Sequence, residues 1–178
     1  MATIYLSLGS NIGDKEKNIH QAIELLRYRN ILTIKEISSL YQTEPVDLEQ
    51  QDWFLNCVIE AETELDLEGL FKFTIDIEKK LGKDVKIRFG PRIIDIDILF
   101  FGNETKNIEV KVGRNQDSAN KYLVQVPHPR LHTRKFVLLP LKEIAPNFMH
   151  PLLNKTIRQL LDSLDIQNAS KKVELWEK

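Results

Sequence analysis

From Ile94 to Ile98 the chain alternates isoleucine and aspartate, and this alternation constrains the fold more than any other stretch. Successive side chains of an extended strand point to opposite faces. Ile94, Ile96 and Ile98 therefore share one face, and Asp95 and Asp97 share the other, with same-face Cα atoms roughly 6.5–7 Å apart. Directly ahead lie Arg88-Phe89-Gly90-Pro91-Arg92, two cations around a rigid turn. Neighbouring carboxylates repel unless something positive stands between them. Mg²⁺ accepts a few carboxylate oxygens together with water and phosphate oxygens, so an Asp-x-Asp strand behind an arginine suits a metal-bound polyphosphate. The same residues also fit a half-exposed strand with a solvated acidic face and Arg92 as a surface ion-pair partner. The Gly90-Pro91-Arg92 prefix favours the first reading.

The rest of the chain narrows the setting. At 178 residues it is long enough for one well-cored domain. Basic and acidic residues balance at 25 against 26, which leaves little non-specific attraction for nucleic acid or an anionic membrane. One cysteine, Cys57, allows no internal disulfide and no cysteine zinc cluster, as expected in a reducing compartment. With no secretory h-region and no apolar run approaching the ~20 residues of a membrane span, a cytoplasmic location is expected; a monomer is the expected state.

Periodicity predicts a strand over 3–8, a helix over about 15–27 with Ile19, Ala22, Ile23 and Leu26 buried, and β-rich chain over 31–41. A strand over 54–62, a helix over 67–81 stopped by Gly82, and the Asp95–Phe101 strand follow. Strands over 108–112 and 122–126 and helices over 137–144 and 156–164 complete the pattern. Helices and strands do not alternate strictly, which argues for a mainly antiparallel α+β layered domain over residues 1–178. The polar segment 113–121 reads as an exposed insertion between strands.

Three further groups carry chemistry. Gly9-Ser10-Asn11-Ile12-Gly13 joins a strand to a helix but lacks the Gly-Lys-Ser/Thr ending of a Walker loop, and a structural turn is its simpler reading. On the strand from Phe54, Phe54 and Asn56 share one face while Leu55, Cys57 and Ile59 face the core. An aromatic beside an amide suits a flat heterocycle, though a core Phe and a satisfied Asn fit equally. The segment Val126–Phe136 gathers two histidines and several cations around Pro127-His128-Pro129; a basic surface loop is the plainer reading, and Pro129 disfavours a helical His128/His132 metal pair.

The string Arg88-Phe89-Gly90-Pro91-Arg92-Ile93-Ile94-Asp95-Ile96-Asp97 resembles the signature of the 6-hydroxymethyl-7,8-dihydropterin pyrophosphokinases. The resemblance implies a ferredoxin-like αβα sandwich and transfer of pyrophosphate from ATP to a pterin alcohol in folate biosynthesis. It implies two Mg²⁺ ions at Asp95 and Asp97, with Arg92, Lys83 and Arg88 as catalytic cations. Arg92, Ile98, His128 and Arg134 would contact ATP, and Thr43, Val46, Phe54, Asn56 and Phe136 would hold the pterin. Arg130 and His132 inherit no role. Lys83 stands where the best-known members have Arg, in a loop one residue shorter, and Phe89 replaces the commoner tryptophan. Two rivals remain at this point: an RNA-binding module stacking bases on strand aromatics, and a Mg²⁺-dependent nucleotide hydrolase with water as acceptor. Neutral charge and the acidic strand oppose the first, and a second aromatic slot opposes the other.

Overall fold

A computed structural model describes residues 1–45, 51–82, 91–113, 119–164 and 172–177. Strand β1 (Ala2–Ser10) leads into helix α1 (Lys15–Arg27), whose N-cap Asp14 accepts the Lys17 amide. Strands β2 (Leu32–Ile37), β3 (Tyr41–Thr43) and β4 (Phe54–Thr63) follow, then helix α2 (Leu67–Lys80), capped by Asp66, and strand β5 (Asp95–Phe101). Gly82 ends α2 with φ +93°, the left-handed conformation that favours glycine after a helix. Strands β6 (Lys106–Val112) and β7 (Asn120–Val126) pair with each other, and helices α3 (Lys135–Ile144) and α4 (Ile157–Asp162) and strand β8 (Val173–Leu175) close the chain.

The main sheet runs β5-β1-β4-β3-β8, with β2 also on β4, and every pairing is antiparallel. The β1-α1-β2-β4-α2-β5 path with spatial order β5-β1-β4-β2 is the ferredoxin-like arrangement expected from the sequence. The β-rich stretch expected over 31–41 is divided. Ser38 donates its amide to the Val58 carbonyl and accepts the Val58 amide on Oγ, so β2 and β3 lie end to end beside β4. Nothing in the periodicity indicated β8.

Two cores flank the sheet. Ile4, Leu6 and Leu8 of β1, Leu55, Cys57 and Ile59 of β4, and Ile96 and Ile98 of β5 pack with α1 and α2. Tyr5, Val58, Leu99 and Phe100 pack on the other face with α3 and α4. The alternation read from the sequence produces this αβα layering. A bulge adjusts it: Leu6 opposes Ile98 while Tyr5 opposes Phe100, so Leu99 is the extra residue and joins Phe100 in the second core. Burial of these side chains drives the assembly. Among the described residues no helix is long and apolar enough to cross a membrane.

Segment 114–118, most of the expected insertion, lies outside the described residues, whereas Asn120 and Lys121 belong to β7. The hairpin β6–β7 brackets it, as a connection between strands requires.

Candidate active site

The register of three strands builds the floor of a cleft. Asp97 lies opposite Ser7 and Asp95 opposite Gly9, while Gly9 also lies opposite Asn56, which opposes Tyr41. Adjacent strands stand about 4.8 Å apart, so Asp95 and Asn56 are separated by roughly 10 Å across the glycine. Phe54, beside Thr43 in the β3–β4 ladder, extends the floor at the Asn56 end. Ser7, Gly9, Thr43, Phe54, Asn56, Arg92, Asp95, Asp97, His128, Arg134 and Phe136 all face the same cleft.

Gly9 keeps this floor open. A Cβ there would come within 2.7 Å of Asn56 Oδ1 and 3.9 Å of Phe54 Cδ1. Asn56 is 4% exposed and donates Nδ2 to Thr43 Oγ1 at 2.9 Å, which turns its Oδ1 toward the space beside Gly9. The Thr43 bond fixes the amide, so Asn56 offers an oriented acceptor and its second N–H to a flat polar ligand.

At the other end the two aspartates are met by arginines. Arg92 Nη1 bonds Asp95 Oδ2, and Arg134 Nη1 lies 3.6 Å from Asp97 Oδ2. The Arg92 main chain is held by the buried Asn11, whose Oδ1 accepts the Arg92 amide at 2.8 Å and whose own amide donates to the Arg92 carbonyl. Asn11 Nδ2 also donates to Gln51 Oε1, joining the aspartate end to the chain before β4. Arg134 stacks over the Phe136 ring at 5.4 Å.

His128 is positioned by its neighbours. Its amide donates to the carbonyl of the bulged Leu99, and its Nδ1 accepts the Arg130 amide at 3.2 Å. That bond assigns the neutral tautomer with the proton on Nε2, leaving a donor for an anion. Burial, with Arg134 and Arg130 nearby, pulls the imidazole down to about 4. The preceding Val126–Pro127 peptide is cis.

The structure thus brings together nine of the residues singled out in the sequence: Thr43, Phe54, Asn56, Arg92, Asp95, Asp97, His128, Arg134 and Phe136. Ile98 is 6% exposed and packs in the core beneath the sheet, so only its main chain remains for the ATP contact expected of it. Val46, Lys83 and Arg88 lie outside the described residues. Arg130, given no role from the sequence, lines the cleft, as do Ser7, Glu44 and Gln51. Ser7 and Gly9 had a legible signal, being small residues on the face of β1 opposite Leu6 and Leu8.

Among the described residues there is no group of three or more His, Cys, Asp and Glu placed to hold a metal ion. A pair of adjacent carboxylates at the rim of an arginine-lined cleft instead matches Mg²⁺, which completes its shell with water and phosphate oxygens.

The model of the 7,8-dihydro-6-hydroxymethylpterin-pyrophosphokinase family matches residues 5–146. A 2-amino-4-hydroxy-6-hydroxymethyldihydropteridine pyrophosphokinase of Bacillus subtilis is 43% identical over 141 residues, 79% of this chain and 77% of that protein. One from Aquifex aeolicus is 40% identical over 159 residues, 89% and 90% of the two chains. The fold matches the Plasmodium falciparum HPPK-DHPS crystal structure with a TM-score of 0.70 at 19% identity, covering 91% of this chain and 43% of that longer one. The chain belongs to the 7,8-dihydro-6-hydroxymethylpterin-pyrophosphokinase family, which transfers pyrophosphate to hydroxymethyldihydropterin in folate biosynthesis.

Proposed function

We propose that this chain transfers the pyrophosphoryl group of ATP to 6-hydroxymethyl-7,8-dihydropterin in a Mg²⁺-dependent reaction that releases AMP. The observation that carries this reading is the row Asp95–Gly9–Asn56, which sets the acid-and-arginine end beside the aromatic-and-amide end with an open glycine between them. Two reactants lying along that row meet over the glycine, and holding them in line lowers the barrier without covalent chemistry.

The pterin would lie between Phe54 and Phe136, read by Asn56 and Thr43, with Val46 as a further contact. Its hydroxymethyl oxygen attacks the β-phosphorus of ATP, and the bond to the α-phosphate bridging oxygen breaks. Asp95 and Asp97 would hold Mg²⁺, two ions in this reading. Bound there, the metal neutralises phosphate charge and makes the attacking hydroxyl more acidic. Arg92 and Arg134 would turn from the aspartates toward phosphate oxygens, so charge pairing is exchanged rather than lost. His128 would donate from Nε2 to the triphosphate, and Lys83 and Arg88 would offset the negative charge that builds on the bridging oxygen. ATP would also contact the main chain of Ile98. The chain is taken to work as a cytoplasmic monomer.

The deciding experiment is AMP release from Mg²⁺-ATP with and without the pterin, with the product identified by mass. Pterin-dependent AMP and a pterin diphosphate are expected. ADP or phosphate formed without pterin would instead identify a hydrolase. Salt-sensitive binding of single-stranded RNA without turnover would identify the binding module.

A further inference from the structure

Helix α3 carries Phe136 in its first turn and Glu143 seven residues later, a spacing that puts both on one helix face about 10.5 Å apart along the axis. Strand β3 carries Tyr41 and Thr43 on one face, two residues apart. Phe136 and Thr43 face the cleft. At the other end of the same two elements, Tyr41 donates its hydroxyl to Glu143 Oε2 at 2.9 Å. The amide and hydroxyl of Ser39 both donate to Oε1, each at 2.9 Å. One carboxylate thus collects three donors, two from the connection that leads into β3 and one from β3 itself.

From this geometry we propose that Glu143 and Tyr41 form a brace that sets the width of the heterocycle slot, making them positioning residues for the pterin. The proposal rests on the reading given under Proposed function. Val137, Leu138 and Leu141 press α3 onto the sheet, but apolar contacts are non-directional and leave the helix free to slide and roll. Charge-assisted hydrogen bonds are directional, and three on one carboxylate fix the helix laterally against β3. Neither residue faces the cleft, so their effect must pass through the elements that carry Phe136 and Thr43. Burial, with the Glu143 carboxylate beside it, pushes the Tyr41 phenol up to about 12, which keeps it protonated as the donor.

The test compares Tyr41→Phe, Glu143→Gln, Glu143→Ala and the Tyr41→Phe/Glu143→Ala double variant with the unaltered chain. The pterin KM is expected to rise about five- to tenfold in Tyr41→Phe, which loses one hydrogen bond, and by at least as much in Glu143→Ala, which loses three. The ATP KM should stay within about twofold, and Glu143→Gln, which keeps an acceptor, should recover part of the loss. The double variant should lose no more than Glu143→Ala, because both residues belong to one brace. Equal shifts in both KM values, no shift in either, or losses that follow the unfolded fraction would overturn the proposal. If Glu143→Ala does not fold, Tyr41→Phe alone decides. An unaltered chain that releases no AMP on adding pterin would remove the slot reading and the brace together.

Discussion

Gly9 shows what one missing side chain does. It has no positive φ, so its backbone alone would accept alanine; the conflict is the 2.7 Å approach of a Cβ to Asn56 Oδ1. Gly9→Ala should push Asn56 off its Thr43 bond, lower kcat/KM for the pterin about tenfold and leave the ATP KM nearly unchanged, as steady-state kinetics would record. Asp97 makes the opposite case. Its side chain is 41% exposed and its ion pair with Arg134 is 3.6 Å long, so it contributes little to stability. Asp97→Asn should keep its melting temperature within a few degrees while turnover falls at least about a hundredfold. Unfolding of that variant would return the residue to a structural role. At this scale the sequence showed which face Asp95, Asp97, Phe54 and Asn56 point to, because period two alone assigns faces. It did not show Asn11 as the clamp on Arg92, since the two lie 81 residues apart and meet only through the fold.

Among the elements, β8 is the one no pattern announced. It is three residues long, and its ladder with β3 sets Thr43 opposite Val173 and Tyr41 opposite Leu175. Beyond the strand ends, the Glu44 amide donates to the Lys172 carbonyl and the Trp176 amide to the Leu40 carbonyl. β3 is itself only three residues long, so it depends on β4 and β8 for its position. Removing residues 165–178 should lower the melting temperature by several degrees and raise the pterin KM more than the ATP KM. Equal changes in both would mean that β8 supports only the fold. Helix α3 begins two residues before its apolar periodicity indicates, which places Phe136 on the helix rather than in the loop. Ile98 went the other way: its strand parity with Ile94 and Ile96 already assigned it to the core, and the fold obeyed that parity.

For the whole molecule, His128 links the cleft to stability. Its folded pKa near 4 lies below the ordinary 6.5, so the unfolded chain binds more protons between those values and stability rises with pH there. The contribution is present above about 6.5 and is lost as pH falls toward 4. His150, lowered mainly by burial, acts in the same direction, so the comparison must be made against His128→Gln. The unaltered chain should show the steeper fall of melting temperature between pH 6.5 and 4, and bound pyrophosphate, which favours the imidazolium, should flatten it. An equal slope in both proteins would mean that His128 is not held neutral by its surroundings.

The sequence by itself determined the layered α+β class, the two faces of β1, β4 and β5, and the residue types for acid, arginine and aromatic work. These are local properties, set by side-chain alternation and turn chemistry within a few residues. Only the tertiary structure decided that Asp95, Gly9 and Asn56 share one row, that Tyr41 reaches Glu143, and that a C-terminal strand completes the sheet. Those depend on the register between strands distant in sequence, which hydrogen-bond ladders and packing settle together once the two cores close around the sheet.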